Sequence, residues 1–337
     1  MQIFIDESGT FAPKSGPAAI SVVGALIIPE GKMKFIERKY QSIRNALPTD
    51  HGEVKGRLLS EQHVDRVVTM LAKNEVLFEA VAIDMARHSL AQVEQHKADQ
   101  EDALTANLTD EFHPNLRKSV WELRHRLERM PHQLYVQSVV TFELIATAIR
   151  LSTLYFSQRH PKTLGQFQWV VDAKDRQSVT DWESWWAFTV MPMIQSRSFR
   201  EPLSRLIGSD YSYFQRFETD IPDYLHPHLN DPTKRTGLDA KKIMTESFRF
   251  SPDPEPGLEM VDILTNATRR ALMGNLRQAG WGNIPRLMID RRDQYIELIS
   301  LGESQSQISH RCPYSDVIDN FRSGGKNILA PRFAKSD

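Results

Sequence analysis

Two strand-like runs constrain the chain more than anything else in it, because both stop on a carboxylate. MQIFIDES, at residues 1–8, is apolar until Asp6, and FQWVVDAKD, at 167–175, returns to β character and breaks at Asp172. The β-branched and aromatic residues of both runs suit a pleated, buried surface. The sequence between them is mostly of helical period, and strands separated by helices build an α/β domain around a mixed sheet. Strand alternation puts Gln2, Phe4 and Asp6 on one face and Ile3, Ile5 and Glu7 on the other. Asp6 and Glu7 therefore point to opposite sides, and Glu7 is assigned a structural part.

The remaining periodicities fill in the frame. AAISVVGALIIPE (18–30) reads as a buried strand joined to the first by a Gly/Pro-rich turn, giving an antiparallel opening pair. Met33, Ile36, Tyr40, Ile43 and Leu47 recur at helical spacing before Pro48, and Ser60 opens a second helix that carries Val64, Val67, Val68 and Leu71. EVLFEAVAID (75–84) reads as a strand. A helical insertion is expected at about 87–160; its long apolar segment at 136–156 contains Gln137, Glu143 and Arg150, which marks it as a core helix. YSYFQRFE (211–218) reads as a strand, PGLEMVDILTNATRRALMG (256–274) as a helix, and RDQYIELISLGE (292–303) as a helix within a mixed C-terminal extension from about 281. The whole chain, 1–337, is read as one domain.

Composition narrows the partners. Lys and Arg number 42 against 43 Asp and Glu, so any polyanion is held by local patches and not by global charge. Cys312 is the single cysteine, which excludes an intrachain disulfide and a multi-cysteine zinc site and suits the cytoplasm. No basic leader and no uninterrupted apolar span is present, so no membrane role is expected.

Four acids stand where local pattern does not ask for charge: Asp6 and Asp172 at strand ends, Glu53 in GEVKG, and Asp262 in the last long helix. Asp262 lies on the flank of the apolar stripe formed by Leu258, Val261, Leu264, Ala267, Ala271 and Leu272, where an uncompensated carboxylate is costly. A divalent cation is one compensation. Oxygen ligands suit Mg²⁺ or Mn²⁺, and two such ions about 3.5–4 Å apart can activate water and stabilise a leaving oxygen in phosphodiester hydrolysis.

FIDESGTF with VVGALIIP, then GEVKG, then WVVDAKD, then GLEMVDILTNATRRAL resemble, in order, the landmarks of the family called domain of unknown function 3800. The resemblance covers roughly residues 1–60 and 165–273; the chain departs from it at Glu259, where a Gln is usual, and at Val261, where an Ala precedes the Asp. It implies a ribonuclease H-like fold, a mixed sheet flanked by helices, with Asp6, Glu53, Asp172 and Asp262 as metal-binding and catalytic acids on Mg²⁺ or Mn²⁺. Lys55 is implied as a phosphate contact.

The local charge pattern bears on substrate. Residues 264–292 carry Arg269, Arg270, Arg277, Arg286, Arg291 and Arg292 against Asp290, a basic rim after Asp262 on which Arg269 and Arg270 are expected to seat a phosphate backbone. Residues 84–111 are acidic. The reading is a metal-dependent nuclease acting on DNA or RNA; the alternative is a non-catalytic nucleic-acid- or protein-binding module of the same fold, with the helical insertion as the protein-binding part. A glycoside hydrolase is a third reading, opposed by the arginines.

The other motifs are weaker. Trp182, Trp185 and Trp186, at helical spacing, are expected in the core and not as a base-stacking stripe. His226, His228 and Asp231 come from a single loop, which is poor support for zinc. Cys312 has only His310 near it in sequence as a partner for nucleophilic chemistry, and RSGGKN lacks the spacing of a phosphate loop.

Overall fold

A computed structural model of the chain describes every residue except 17–18, 174–180, 187–189, 202, 224–225, 227–228, 230, 232, 234, 293, 303–311, 313 and 334–337. β1 (Gln2–Ser8) and β2 (Ile20–Ile28) form the expected antiparallel pair. After α1 (Met33–Arg44), a short ribbon of β3 (Thr49–Asp50) and β4 (Glu53–Val54) leads to α2 (Glu61–Ala72), which Ser60 caps in a reciprocal box with His63. β5 (Leu77–Asp84) then returns antiparallel to β2. Three helices follow: α3 (Leu90–Thr105), α4 (Pro114–Arg129) and the 28-residue α5 (His132–Arg159).

β6 (Gln168–Asp172) enters beside β1 and parallel to it. Beyond α6 (Asp181–Trp185), α7 (Met191–Arg200), the ribbon of β7 (Glu218–Asp220) with β8 (Thr236–Leu238), and α8 (Ala240–Thr245), β9 (Phe248–Ser251) extends the sheet parallel to β6. α9 (Pro256–Leu272) and α10 (Gln278–Trp281) precede β10 (Ile296–Ile299), which pairs parallel to β5, and α11 (Ser315–Asn320) follows. The large sheet has six strands in the order β10-β5-β2-β1-β6-β9. It is a mixed sheet in an α/β fold.

The sheet divides two cores, and alternation along β1 shows how. Ile3 and Ile5 join Val23, Val81 and Ile83 against Val140, Leu144 and Ala148 of α5. Phe4, one residue out of phase, joins Val22, Phe78 and Val170 beneath Val261 and Leu264 of α9, with α1 and α2 completing that side. By length and composition α5 would pass for a membrane span, yet most of its apolar stretch is buried as the layer covering one sheet face. The middle of the chain thus supplies the helical cover of one of the two cores. The three tryptophans also lie in the α5-side core, with Trp182 and Trp185 stacked at 5.2 Å between ring centroids.

Two expectations fail. YSYFQRFE is a turn and one turn of 3₁₀ helix at Gln215–Phe217, with strand only from Glu218. Its buried residues, Tyr211, Phe214 and Phe217, recur every three positions, the period of a 3₁₀ turn and not of a strand. Within RDQYIELISLGE, Ile296–Ile299 form the edge strand β10 in place of a helix. Ile296 and Leu298 face the α9-side core while Ile299 packs on the other, so the segment obeys a period of two once β5 is there to pair with it.

The seat of α9 on the sheet depends on Gly24. A Cβ there would lie 2.1 Å from Thr265 Oγ1 and 2.9 Å from the Phe78 ring, so the helix reaches its depth only over a residue without a side chain. Gly24→Ala is expected to cost about 1–3 kcal/mol by overpacking, seen as an earlier transition in urea unfolding followed by circular dichroism.

Candidate functional site

The register of the central parallel pair places the first two acids. Ile5 lies opposite Val171, so the next residues along, Asp6 and Asp172, come side by side on neighbouring parallel strands. Asp172 ends β6, whereas β1 does not stop at Asp6 as expected but stays paired with β2 through Ser8. Both share the face of Phe4 and Val170, which α9 covers. Crevices outside the carboxyl ends of strands are where open α/β sheets bind ligands.

α9 presents the third acid to that crevice. From Gly257 to Leu272 the helix is buried except at Asp262, Asn266, Arg269 and Arg270. Positions four and seven or eight apart share one helix stripe, so the half-buried polar residues form a line over the carboxyl ends of the strands.

A loop brings the fourth. β3 and β4 are joined by His51 and Gly52, both with positive φ (50° and 83°), the backbone of a tight two-residue hairpin turn. Glu53 follows directly, and the strand beyond it is fastened to α9 at two points. The Val54 N–H donates to Glu259 Oε1 at 2.9 Å, and the Gly56 N–H donates to Asp262 Oδ2 at 2.7 Å. A Cβ on Gly56 would come within 2.9 Å of the Asp262 carbonyl oxygen and 2.8 Å of Asn266 Cβ, so glycine permits this approach.

Glu259 makes the fastening rigid. Its buried carboxylate receives Arg44 through Nε and Nη2, both at 2.7 Å, and the Tyr40 hydroxyl at 3.0 Å. Burial and the neighbouring Glu259 push the Tyr40 hydroxyl far above its ordinary range, which keeps it a donor. Arg44 Nη2 also donates to the Gly52 carbonyl at 2.7 Å, so one guanidinium ties the hairpin turn to the helix.

Two of the four acids, Asp262 and Asp172, are shifted by burial and by the charges of their neighbours. Burial, then repulsion from Asp6, pushes the Asp262 carboxyl up to about 7; the Gly56 N–H and Lys55 pull it back, and Glu53 adds to the rise. Burial also lifts Asp172 to about 6, with Lys55 opposing and Glu53 and Asp262 reinforcing. Lys55 pairs with Glu53 at 2.5 Å. Burial works against the Lys55 charge, but the bond to Glu53 and the fields of Glu53, Asp262 and Asp172 raise its pKa overall. Among the described residues, however, no three of His, Cys, Asp and Glu already stand at metal-ligating spacing.

The arginines of the expected rim are dispersed. Arg270 is spent on the chain itself, donating to the Leu59 carbonyl at 2.7 Å and the Gly56 carbonyl at 3.3 Å. Arg269 donates through Nε to the Ile20 carbonyl at 2.8 Å, at the start of the strand antiparallel to β1 and so at the same end of the sheet as Asp6. Arg277 pairs with Glu61, and Arg291 with buried Glu79 on β5. Glu79 points into the α5-side core, where burial raises its carboxyl to about 7 against the pull of Arg291. In the loop at 221–239, His226 contacts the Ile221 carbonyl and Arg235, Asp231 accepts from Thr233, and His228 lies outside the described residues, as does His310.

Sequence reasoning missed Ser8, Asn266 and the part played by Glu259. Asn266 Nδ2 donates to Ser8 Oγ at 3.2 Å, linking α9 to the end of β1, while Asn266 Oδ1 is buried without a hydrogen-bond partner among the described residues. The spacing of Asn266 four residues after Asp262 was the available signal.

Because the folded state holds protons on Asp262 and Asp172 that the unfolded chain releases near 3.8, stability falls as pH rises from about 4 to about 7. Asp262→Asn keeps an acceptor for the Gly56 N–H and removes this loss. Without divalent ions it is expected to flatten the pH dependence of thermal unfolding between pH 5 and 8 and to raise the midpoint at pH 8 by roughly 2 °C; a steeper dependence would contradict the assignment. Glu259→Ala strands Arg44 and is expected to cost about 3–5 kcal/mol in chemical unfolding. Compared with known proteins, the chain matches no family model, no curated protein and no solved structure.

Proposed function

We propose that the protein is a divalent-metal-dependent phosphodiester hydrolase acting on nucleic acid, on a ribonuclease H-like sheet. One observation carries the reading: Asp6, Glu53, Asp172 and Asp262 come from four distant parts of the chain, Asp6 and Asp172 lie on neighbouring parallel strands, and the charges of Asp6 and Glu53 reach Asp262 while those of Glu53 and Asp262 reach Asp172. Such an accumulation of negative charge is costly unless a cation answers it.

The donor set suits Mg²⁺ or Mn²⁺, since every acid offers hard oxygens. The buried, unpartnered Asn266 Oδ1 one helical turn beyond Asp262 is a further oxygen of the same kind. Asp6, Glu53, Asp172 and Asp262 would hold the ion, which when bound supplies Lewis-acid stabilisation and an activated water. The chain's own contribution is positional. The Gly56 N–H fixes one oxygen of Asp262, the pairing of β1 with β6 fixes the spacing of Asp6 and Asp172, and Arg269 sets positive charge at the same end of the sheet for a phosphate backbone.

A second reading, a non-catalytic nucleic-acid- or protein-binding module, is favoured by the lack of three acids at ligating spacing among the described residues and by the Lys55 ammonium within the group. Cleavage of labelled single-stranded, duplex and hybrid oligonucleotides with Mg²⁺ or Mn²⁺ separates the two. The hydrolase reading expects activity that is abolished by chelation and reduced at least about 100-fold in Asp6→Asn. Cleavage indifferent to both, or binding without cleavage of any substrate, overturns it.

A further inference from the structure

We propose that Lys55 is the built-in counter-cation of the carboxylate group, and that a divalent ion binds by displacing its ammonium toward solvent. The inference rests on the metal-binding reading above and adds to it the event that governs ion entry.

The argument begins with position. Lys55 lies between two residues whose backbone N–H groups, at Val54 and Gly56, are pinned to α9. Its Cα therefore has little freedom, while the four-carbon stem of a lysine has much. The ammonium rests on Glu53 Oε1 at 2.5 Å and lies in the fields of Glu53, Asp262 and Asp172. A single positive charge thus serves several half-buried carboxylates.

Exposure shows that the arrangement can be exchanged. The Lys55 side chain keeps 34% of its surface and Glu53 keeps 25%, so the pair sits at the mouth of the crevice and not beneath it. An ammonium is a compact, strongly hydrated charge that loses little by returning to water. A divalent ion among the same oxygens brings twice the charge and coordinates several at once. With Glu53 turned to the ammonium, the acids need not stand at ligating spacing until the ion arrives, which accounts for the absence of a preassembled trio among the described residues.

Isothermal titration of the full chain with Mn²⁺ tests this, comparing wild type, Lys55→Met and Lys55→Arg. Removing the competing charge is expected to tighten Mn²⁺ binding by about tenfold or more in Lys55→Met, whereas Lys55→Arg, which keeps the charge, stays near wild type. A second measurement needs no variant: the rate of Lys55 acetylation in the native protein, read by mass spectrometry, is expected to rise several-fold on saturation with Mg²⁺. Wild type that binds Mn²⁺ while Lys55→Met binds no tighter, or Lys55 acetylation that is unchanged or slowed by Mg²⁺, overturns the exchange and leaves the metal site standing. Absence of Mn²⁺ binding in wild type and variants alike overturns both.

Discussion

The carboxylate of Glu259 is buried in a helix that packs on the central sheet, and the candidate site depends on how that charge is met. Arg44 meets it with two hydrogen bonds, Tyr40 with a third and the backbone of Val54 with a fourth. A buried carboxylate so fully bonded is tolerable, whereas one with any partner removed is not. The four contacts come from α1 and from the hairpin after it, and Glu259 itself is on α9, so satisfying one charge fixes three segments of the α9-side layer relative to one another. The Gly56 N–H bond to Asp262 then follows from geometry already set. A carboxylate at position 259 suits the guanidinium of Arg44.

The acids of the crevice pose the opposite problem. Glu259 is neutralised within the fold, but Asp6, Glu53, Asp172 and Asp262 outnumber the Lys55 ammonium placed among them, and burial with their mutual repulsion raises the carboxyls of Asp172 and Asp262 to about 6 and about 7. A group built only for stability would gain from amides or apolar residues at these positions. Retaining charge that raises the cost of folding is the usual mark of a site whose stability is spent on function.

Much of this was legible in the sequence, and the reasons can be stated residue by residue. Asp6 could be put on the face of Gln2 and Phe4 because a period of two assigns faces without further information, and Asp262 on the flank of the apolar stripe because a period of 3.6 does the same in a helix. The hairpin of Glu53 could not be placed, since its position follows from a bond between Gly56 and a residue 206 positions away. The edge strand β10 was misread because Ile296 and Ile299 fit a helical face as well as a strand until β5 is available to pair. Arg269 and Arg270 looked alike as sequence, and both are tied to main-chain carbonyls, Arg269 to Ile20 at the start of β2 and Arg270 to Leu59 and Gly56, an assignment that only tertiary contacts create.

The division of the sheet into two cores also orders events during synthesis. β1, β2 and β5 are all made before α5, so when that long apolar helix leaves the ribosome the surface that covers it is already available. The opposite face waits much longer, because α9 is made roughly 170 residues after β5. Until then Phe4, Val22 and Phe78 have only α1 and α2 to shield them, and Asp6 stands without the helix that completes its surroundings. A nascent chain stalled or truncated before residue 256 would therefore carry a folded α5 side, an exposed apolar face beside it and no assembled acid group, which is the kind of surface that chaperones bind.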